Sequence, residues 1–167
     1  MRRIIQSFVL LFLFITLLIA VPAVAKNELR KDGRFIAYDD GTVLDTQTKL
    51  MWASTDNGTD IDQQSAKRYC EGYRGAGYKD WRLPTLNELA TLCDDIEEAQ
   101  QSDCRGIHGS ILDVYVTPLI KLSCVDVWAS DMRGSEGMQI LFNYCHRTGT
   151  PPSRSGFSRA LPVRSVK

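Results

Sequence analysis

Five cysteines carry the most reactive side chains of this 167-residue sequence. In an oxidising compartment they are expected to form disulfides rather than catalytic thiols or zinc sites, because no C-x-x-C spacing occurs. Five is an odd number, so at least one thiol stays free. The short polar spacing favours a bridge between Cys93 and Cys104, and the other pairings remain open. The disulfide candidates are Cys70, Cys93, Cys104, Cys124 and Cys145.

His108 and His146 are the two histidines of the chain. Cys145 and His146 have the residue types of a nucleophile and its base, but neighbouring residues of a strand point to opposite faces. We therefore predict a structural cysteine and a surface histidine. The H-E-x-x-H, G-x-S-x-G, phosphate-loop and EF-hand patterns are absent, so the sequence predicts no catalytic residue and no cofactor.

Three aspartates crowd one predicted loop: Asp56, Asp60 and Asp62. Oxygen-rich loops of this kind can bind calcium, which makes the three residues weak calcium candidates. No glutamate follows at the offset of a bidentate ligand, however, and acidic residues are also favourable at the start of a helix. The sequence therefore predicts a helix-start loop and no metal site.

Basic residues are concentrated near the C-terminus. Residues 137–167 contain five basic residues and no acidic one, whereas residues 26–136 contain 13 basic and 20 acidic residues. The forked N–H donors of arginine can bind the anionic groups of polymers. The loops around residues 131–159 are therefore predicted to bind an anionic glycan or an envelope protein. Pairing with the acidic part of the same domain is the alternative. The ligand-binding candidates are Arg147, Arg154, Arg159 and Arg164.

The chain begins with the pattern of a secretory signal peptide. Arg2 and Arg3 precede an apolar run over residues 8–21, which ends in small residues at 23–25. This pattern predicts a signal peptide over residues 1–25 and favours cleavage over a retained anchor. We expect an exported protein, periplasmic or at the cell surface, that does not insert into the membrane after cleavage. The formal net charge of zero argues against nucleic-acid binding.

The order of predicted elements is strands, two helices and strands again, which is an α+β pattern. Thr85 and Glu88 form a capping box, and the preceding helix is expected to begin after Asp60 or Asp62. Residues 26–32 are predicted to be a flexible lead-in. Strands are predicted over residues 34–38, 42–45, 50–52, 125–129, 139–144 and 161–164, and loops over 94–106 and 148–156.

An ordered series of motifs runs along the chain: Gly33-Arg34-Phe35, Asp40-Gly41-Thr42-Val43, Thr48-x-Leu50-Met51-Trp52, Gly77-Tyr78-Lys79-Asp80-Trp81-Arg82-Leu83-Pro84-Thr85, Trp128-Ala129-Ser130 and Val163-Arg164. The series resembles the Lcl C-terminal domain family, named after a Legionella collagen-like adhesin. The resemblance implies a C-type-lectin-like fold, with two helices packed on small antiparallel sheets, over residues 33–167. The tryptophans themselves are predicted to lie in the core because large aromatic side chains usually supply burial.

These observations predict an exported, non-enzymatic binding or adhesion module. The signal peptide, the family resemblance and the missing catalytic motifs support this interpretation. Two alternatives remain open at this point. One is an exported enzyme related to formylglycine-generating oxidases, which would need a reactive cysteine site. The other is a structural component of a periplasmic assembly.

Overall fold

The computed structural model describes residues 26–94, 98–106 and 108–166. The predicted signal peptide, residues 1–25, lies outside them. The described residues form an α+β chain, as predicted, with a short 3-10 turn at Gly75–Gly77. In chain order its elements are β1 (Glu28–Asp32), β2 (Phe35–Tyr38), β3 (Thr42–Asp45), β4 (Leu50–Ala53), α1 (Gln63–Gly72), α2 (Leu86–Thr91), β5 (Gln100–Arg105), β6 (Ile111–Val114), β7 (Asp126–Arg133), β8 (Glu136–Leu141), β9 (His146–Thr150), β10 (Ser158–Arg159) and β11 (Val163–Ser165).

The first sheet joins the two ends of the described chain. Its strands follow the order β1, β2, β3, β4, β11, and each strand is antiparallel to its neighbour. Trp52 of β4 is in register with Val43 on one side and Val163 on the other. The strand predicted over residues 161–164 is thus an edge strand, the position in a sheet where proline is tolerated.

Strand β1 corrects one expectation. The polar composition of residues 26–32 predicts a flexible lead-in, whereas residues 28–32 pair with β2. Most of the side chains of β1 are exposed, so the strand is held by its backbone hydrogen bonds rather than by buried apolar groups. A pattern of hydrophobic residues could not reveal such a strand, because its pairing does not depend on side-chain burial.

Both helices begin where the sequence predicts. The carboxylate of Asp62 accepts a hydrogen bond of 2.9 Å from the backbone N–H of Ser65 and caps α1. The capping box of α2 is complete: the Thr85 hydroxyl accepts from the N–H of Glu88, and the Glu88 carboxylate accepts from the N–H of Thr85. These bonds satisfy donors that a helix start leaves unpaired. In the described part of the chain, no helix is long and apolar enough to span a bilayer.

The second sheet has the strand order β10, β7, β8, β9, and both helices contact β7. Strand β10 runs parallel to β7, so the expectation of purely antiparallel sheets is wrong at this edge. Strands β5 and β6 form a separate hairpin. Two predicted loops are therefore partly strands: β5 lies within 94–106, and β9 extends into 148–156. In both cases backbone pairing orders a polar segment that has no apolar pattern.

The three tryptophans are buried, as predicted: Trp52, Trp81 and Trp128 are each at most 2% exposed. The indole N–H of Trp128 donates to the carbonyl of Ile61 at 2.7 Å, and that of Trp81 donates to the carbonyl of Gly75 at 3.1 Å. Each of these two rings therefore fills the interior and ties a loop to it through its polar edge.

The disulfides are Cys93–Cys145 and Cys104–Cys124, with Cα–Cα distances of 5.9 and 5.0 Å. The predicted bridge between Cys93 and Cys104 is wrong. Pairing of β5 with β6 carries Cys104 away from the end of α2 and towards Cys124, while Cys93 meets the turn between β8 and β9. Cys70 is the free cysteine, and it is buried in α1.

We predict that the folded protein resists thiol labelling and that unfolding without reductant exposes one thiol per chain, Cys70. The reason is that four cysteines are bridged and the fifth is buried. Labelling followed by a non-reducing peptide map checks this expectation. Joined peptides that contain Cys93 and Cys104 would contradict the structure, as would rapid labelling of Cys70 in the folded state.

Candidate functional site

Arg164, one of the four candidate arginines, lies inside the fold and is 8% exposed. Its Nε and Nη2 donate to the two carboxylate oxygens of Asp80 at 2.8 and 3.0 Å. The guanidinium also lies 3.8 Å from the centre of the Tyr78 ring. Bidentate pairing and stacking together satisfy a planar guanidinium well. The internal pairing that the sequence left open as an alternative therefore describes Arg164.

Arg159 has a similar place in the second sheet. It is 7% exposed, forms an ion pair with Asp60, and donates from Nε to the hydroxyl of Ser123 at 2.6 Å. Its Nη1 also donates to the carbonyl of Ser158. These contacts hold β10 against the loop that precedes α1. The guanidinium of Arg159 is therefore paired with neighbours within the domain.

The three calcium candidates are engaged by protein groups. Asp56 accepts from the backbone N–H of Gly58 and of Ser123, each at 2.7 Å. Asp60 pairs with Arg159, and Asp62 caps α1, where the hydrogen bond from the Ser65 N–H lowers the pKa of the Asp62 carboxyl. Within residues 26–94, 98–106 and 108–166, no cluster of three or more His, Cys, Asp or Glu side chains could hold a metal ion.

An aromatic and basic group of side chains stands at the edge of the second sheet. We call Tyr144, His146 and Arg147 the β9 edge cluster. Tyr144 is 78% exposed, and the other two residues are also exposed at the start of β9. Arg147 donates to the side-chain oxygen of Asn87 at 3.1 Å, which is a neutral partner. Among the described residues, Arg147 therefore has no ion-pair partner.

Arg154 is the second candidate arginine with an available charge. It lies in the loop between β9 and β10 and is exposed. Its backbone N–H is bonded to the carbonyl of Pro151, and its side chain forms no ion pair with any residue that the structure describes. Of the four predicted ligand-binding arginines, Arg147 and Arg154 thus face solvent, whereas Arg159 and Arg164 are paired internally.

Cys145 and His146 do not form a nucleophile and its base in the structure. Cys145 is bridged to Cys93, and His146 is exposed, as predicted. Burial raises the pKa of the remaining thiol, Cys70, well above its usual range, with a smaller contribution from the charge of Glu71. A buried thiol with a raised pKa is a poor nucleophile at neutral pH, so Cys70 belongs to the core.

A cavity of about 330 Å³ opens between the β5–β6 hairpin, the start of β7 and the loop before β10. Its chemically distinctive group is the carboxylate of Asp126, a residue that is 6% exposed. Loss of hydration raises the pKa of Asp126 to about 6, although the charges of Arg154 and Arg159 oppose this shift. The lining residues are Gly106, His108, Ser110, Leu112, Val125, Asp126 and Phe157.

Sequence reasoning missed this cavity. The available signal is the run Val125-Asp126-Val127-Trp128, in which one acidic residue interrupts an apolar strand. Acidic residues are rarely buried without a partner, so such an interruption calls for an explanation. The segments that surround Asp126 come together only in the folded chain.

Comparison with known proteins supports the sequence series described above. A family model for the Lcl C-terminal domain matches residues 41–164, which is most of the chain. The chain belongs to the Lcl C-terminal domain family. This membership indicates an adhesin-related domain. No curated protein and no solved structure matches the chain.

The most distinctive motif of this Lcl C-terminal domain, residues 77–85, stabilises the fold. The backbone of Arg82 exchanges hydrogen bonds of 2.9 and 3.0 Å with that of Val163. The guanidinium of Arg82 donates to both carboxylate oxygens of Glu88 at 2.7 and 2.6 Å, and Glu88 in turn closes the capping box with Thr85. This segment therefore positions α2 and β11, and the exposed candidate residues lie elsewhere.

Replacement of Arg164 by glutamine is expected to lower the free energy of unfolding by about 2 kcal/mol, because it removes a bidentate charge pair and a ring contact from a buried position. The matched change Arg154→Gln should alter that free energy by less than about 0.5 kcal/mol, because its side chain is exposed and forms no ion pair with a described residue. Urea unfolding monitored by tryptophan fluorescence measures both values. Equal losses in the two variants would contradict this division of the arginines.

The variant Asp126→Asn is expected to be more stable than the parent protein at pH 7, by about 2 kcal/mol. The pKa of Asp126 is raised from 3.8 to about 6 in the folded protein, so the buried charge destabilises the fold above pH 6. As the pH falls from 6 to 4, the folded parent protein takes up the proton first and recovers stability. The difference between variant and parent should therefore shrink over that range.

Urea unfolding of both proteins at several pH values measures this difference. Asp113→Asn on β6 is a suitable control, because Asp113 is exposed and the cavity lining does not include it. A variant at position 126 that is less stable than the parent at pH 7 would show that the carboxylate has a favourable partner in the folded protein.

Proposed function

We propose that this Lcl C-terminal domain is an exported, non-enzymatic binding module that recognises an anionic glycan through exposed side chains on its second sheet. The observation that carries the proposal is the β9 edge cluster, where a largely exposed tyrosine lies within three residues of a histidine and an arginine. Aromatic rings offer apolar faces to sugar rings, and arginine offers forked donors to sulfate or carboxylate groups.

Arg154 extends the basic character of this region. Both Arg147 and Arg154 lie within the predicted binding region, residues 131–159, and neither is neutralised by an ion pair in the described part of the chain. Attraction between such exposed charges and a polyanion is screened by salt. Binding by this surface should therefore weaken steeply as the ionic strength rises.

Export and a C-type-lectin-like architecture are parts of the same proposal. Two disulfides suit an oxidising compartment, the periplasm or the cell surface, and agree with the predicted signal peptide. Strands from near both ends of the chain, β1 and β11, belong to one sheet, while two short helices contact another. Such an arrangement leaves the opposite loops and sheet edges free to contact a partner.

The oxidase alternative needs a reactive cysteine site. The four bridged cysteines and the buried Cys70 thiol provide no support for it. A role within an envelope assembly depends on a protein partner, and no single feature of the described chain favours that partner over a glycan. Capture of an envelope protein by the purified domain would favour that role.

The test is retention on immobilised heparin at low salt, followed by titration with soluble heparin. The double change Arg147→Gln and Arg154→Gln should move elution to lower salt and weaken binding about tenfold, because two exposed cationic contacts are lost. The measurement uses the purified protein with its disulfides formed. Unfolding curves should be unchanged, since both side chains are exposed.

Arg68→Gln is the matched control, because Arg68 is an exposed arginine on α1, outside the predicted binding region. This change should leave retention almost unaffected. An equal loss from the control would indicate nonspecific ion exchange. Absence of retention at low salt would reject the glycan proposal, and capture of an envelope protein that depends on Arg147 would favour the assembly alternative.

A further inference from the structure

The Cys93–Cys145 disulfide is attached to the turn that carries part of the β9 edge cluster. Cys145 lies between Tyr144 and His146, two of the three residues of that cluster. The bridge joins this turn to Cys93, which follows the C-cap of α2. One covalent link therefore connects the proposed glycan-binding residues to a helix of the scaffold.

The backbone of Cys145 has a left-handed conformation. Its φ is 51°, a value that residues other than glycine rarely adopt. Such conformations persist only where the surrounding structure holds them, and they occur preferentially at binding sites and switches. The bridge to Cys93 is a covalent restraint on this turn. Opening the bridge would therefore allow the backbone of Cys145 to relax.

The start of the same turn is anchored separately. Phe142 is fully buried, its backbone N–H donates to the carbonyl of Val125, and its carbonyl accepts from the N–H of Tyr115, both at 2.8 Å. Tyr144, by contrast, is 78% exposed. The pairing of β8 with β9 does not involve the bridge. Loss of the bridge would thus leave the strands paired and release residues 143–145, which include the tyrosine of the cluster.

The two disulfides differ in their distance from the core. Cys124 is fully buried in the core, and Cys93 and Cys104 pack against it. Cys145 is half-buried in a surface turn. Disulfide reduction requires a thiolate to reach one of the two sulfur atoms, so access favours attack on the sulfur of Cys145. The Cys93–Cys145 bridge is therefore expected to open before the other one.

We propose that the Cys93–Cys145 disulfide is a redox switch for ligand binding by the β9 edge cluster: oxidation enables binding, and reduction by a dithiol weakens it. The inference rests on the proposed glycan-binding function and names its regulation. In the oxidised protein the bridge holds Cys145 in its left-handed conformation and fixes the position of Tyr144. In the reduced protein Cys145 adopts an ordinary φ, Tyr144 changes direction, and the glycan loses its aromatic contact.

The reduction is an exchange between a dithiol and a disulfide. A thiolate of the dithiol attacks the Cys145 sulfur, the bond between the two protein sulfurs breaks, and Cys93 leaves as a thiolate. The second thiolate of the reductant then attacks its own sulfur in the mixed disulfide and releases Cys145. Two electrons pass from the dithiol, which becomes a disulfide, to the protein bridge. The two protons of the dithiol end on the two cysteine thiolates.

Partial reduction tests which bridge opens first. The oxidised protein is treated with dithiothreitol, its free thiols are blocked with iodoacetamide, and a peptide map identifies them. We expect Cys93 and Cys145 to be labelled about tenfold faster than Cys104 and Cys124, because access to sulfur limits the exchange. Equal rates, or earlier labelling of Cys104 and Cys124, would overturn the proposal. No glycan takes part in this measurement, so its result does not depend on the glycan proposal.

Two double variants separate the bridge from the backbone conformation. Both contain Cys93→Ser, and they differ in having Cys145→Ser or Cys145→Gly. Titration with soluble heparin should show binding about fivefold weaker than in the oxidised parent protein for the serine variant, because an aromatic contact is lost. The glycine variant should stay within about twofold of the parent, because glycine adopts a positive φ without strain. Unfolding curves check that both variants are folded.

Dithiothreitol should weaken heparin binding by the parent protein to the level of the serine variant. It should leave binding by the glycine variant unchanged, which is the control for a direct effect of the reductant. The reduced parent also replaces the serine variant if that variant does not fold. Unchanged binding after loss of the bridge, or equal losses in the two variants, would reject the switch. Failure of the oxidised parent to bind heparin would instead count against the glycan proposal.

Discussion

Pairing of the last strand with β4 is the constraint on which the fold depends. Val163 lies beside Trp52 in the first sheet, and the same residue exchanges two backbone hydrogen bonds with Arg82. Because Arg82 also holds Glu88 in the capping box, one short strand fixes the edge of the sheet and the start of α2. The ion pair between Arg164 and Asp80 then closes the same corner of the molecule. Loss of this pairing would free the start of α2 from the edge of the first sheet.

The arginines of the C-terminal segment divide between two physical roles. A buried guanidinium requires acceptors for nearly all of its donors, which Arg159 and Arg164 obtain from carboxylates, a hydroxyl and a carbonyl. Exposed guanidinium groups need no such partners, and Arg147 and Arg154 form no ion pair with a described residue. Composition shows that the segment is basic, but it cannot distinguish these roles, because the distinction depends on which acceptors the folded chain brings near each side chain. The glycan proposal therefore rests on two of the four arginines that the sequence indicated.

The features that the sequence predicted well are those that depend on near neighbours in the chain. The cap at Asp62, the capping box at Thr85 and the burial of three tryptophans each follow from local spacing or from side-chain size. The predicted bridge between Cys93 and Cys104 was wrong because cysteine spacing does not reveal which strands pair. Strands β1 and β5 were missed because their pairing involves the backbone of polar segments. The cavity at Asp126 was missed for a similar reason: it is enclosed by three segments that are far apart in sequence.

The buried carboxylate of Asp126 makes the stability of this domain depend on pH. The free protein bears the cost of desolvating Asp126, and the raised pKa is the sign of that cost. A serine or asparagine side chain that donated a hydrogen bond to Asp126 would offset part of this cost. Asp126 thus weakens the folded state at neutral pH, whereas hydrogen bonds from Ser65 lower the pKa of Asp62 and make that carboxylate stabilising.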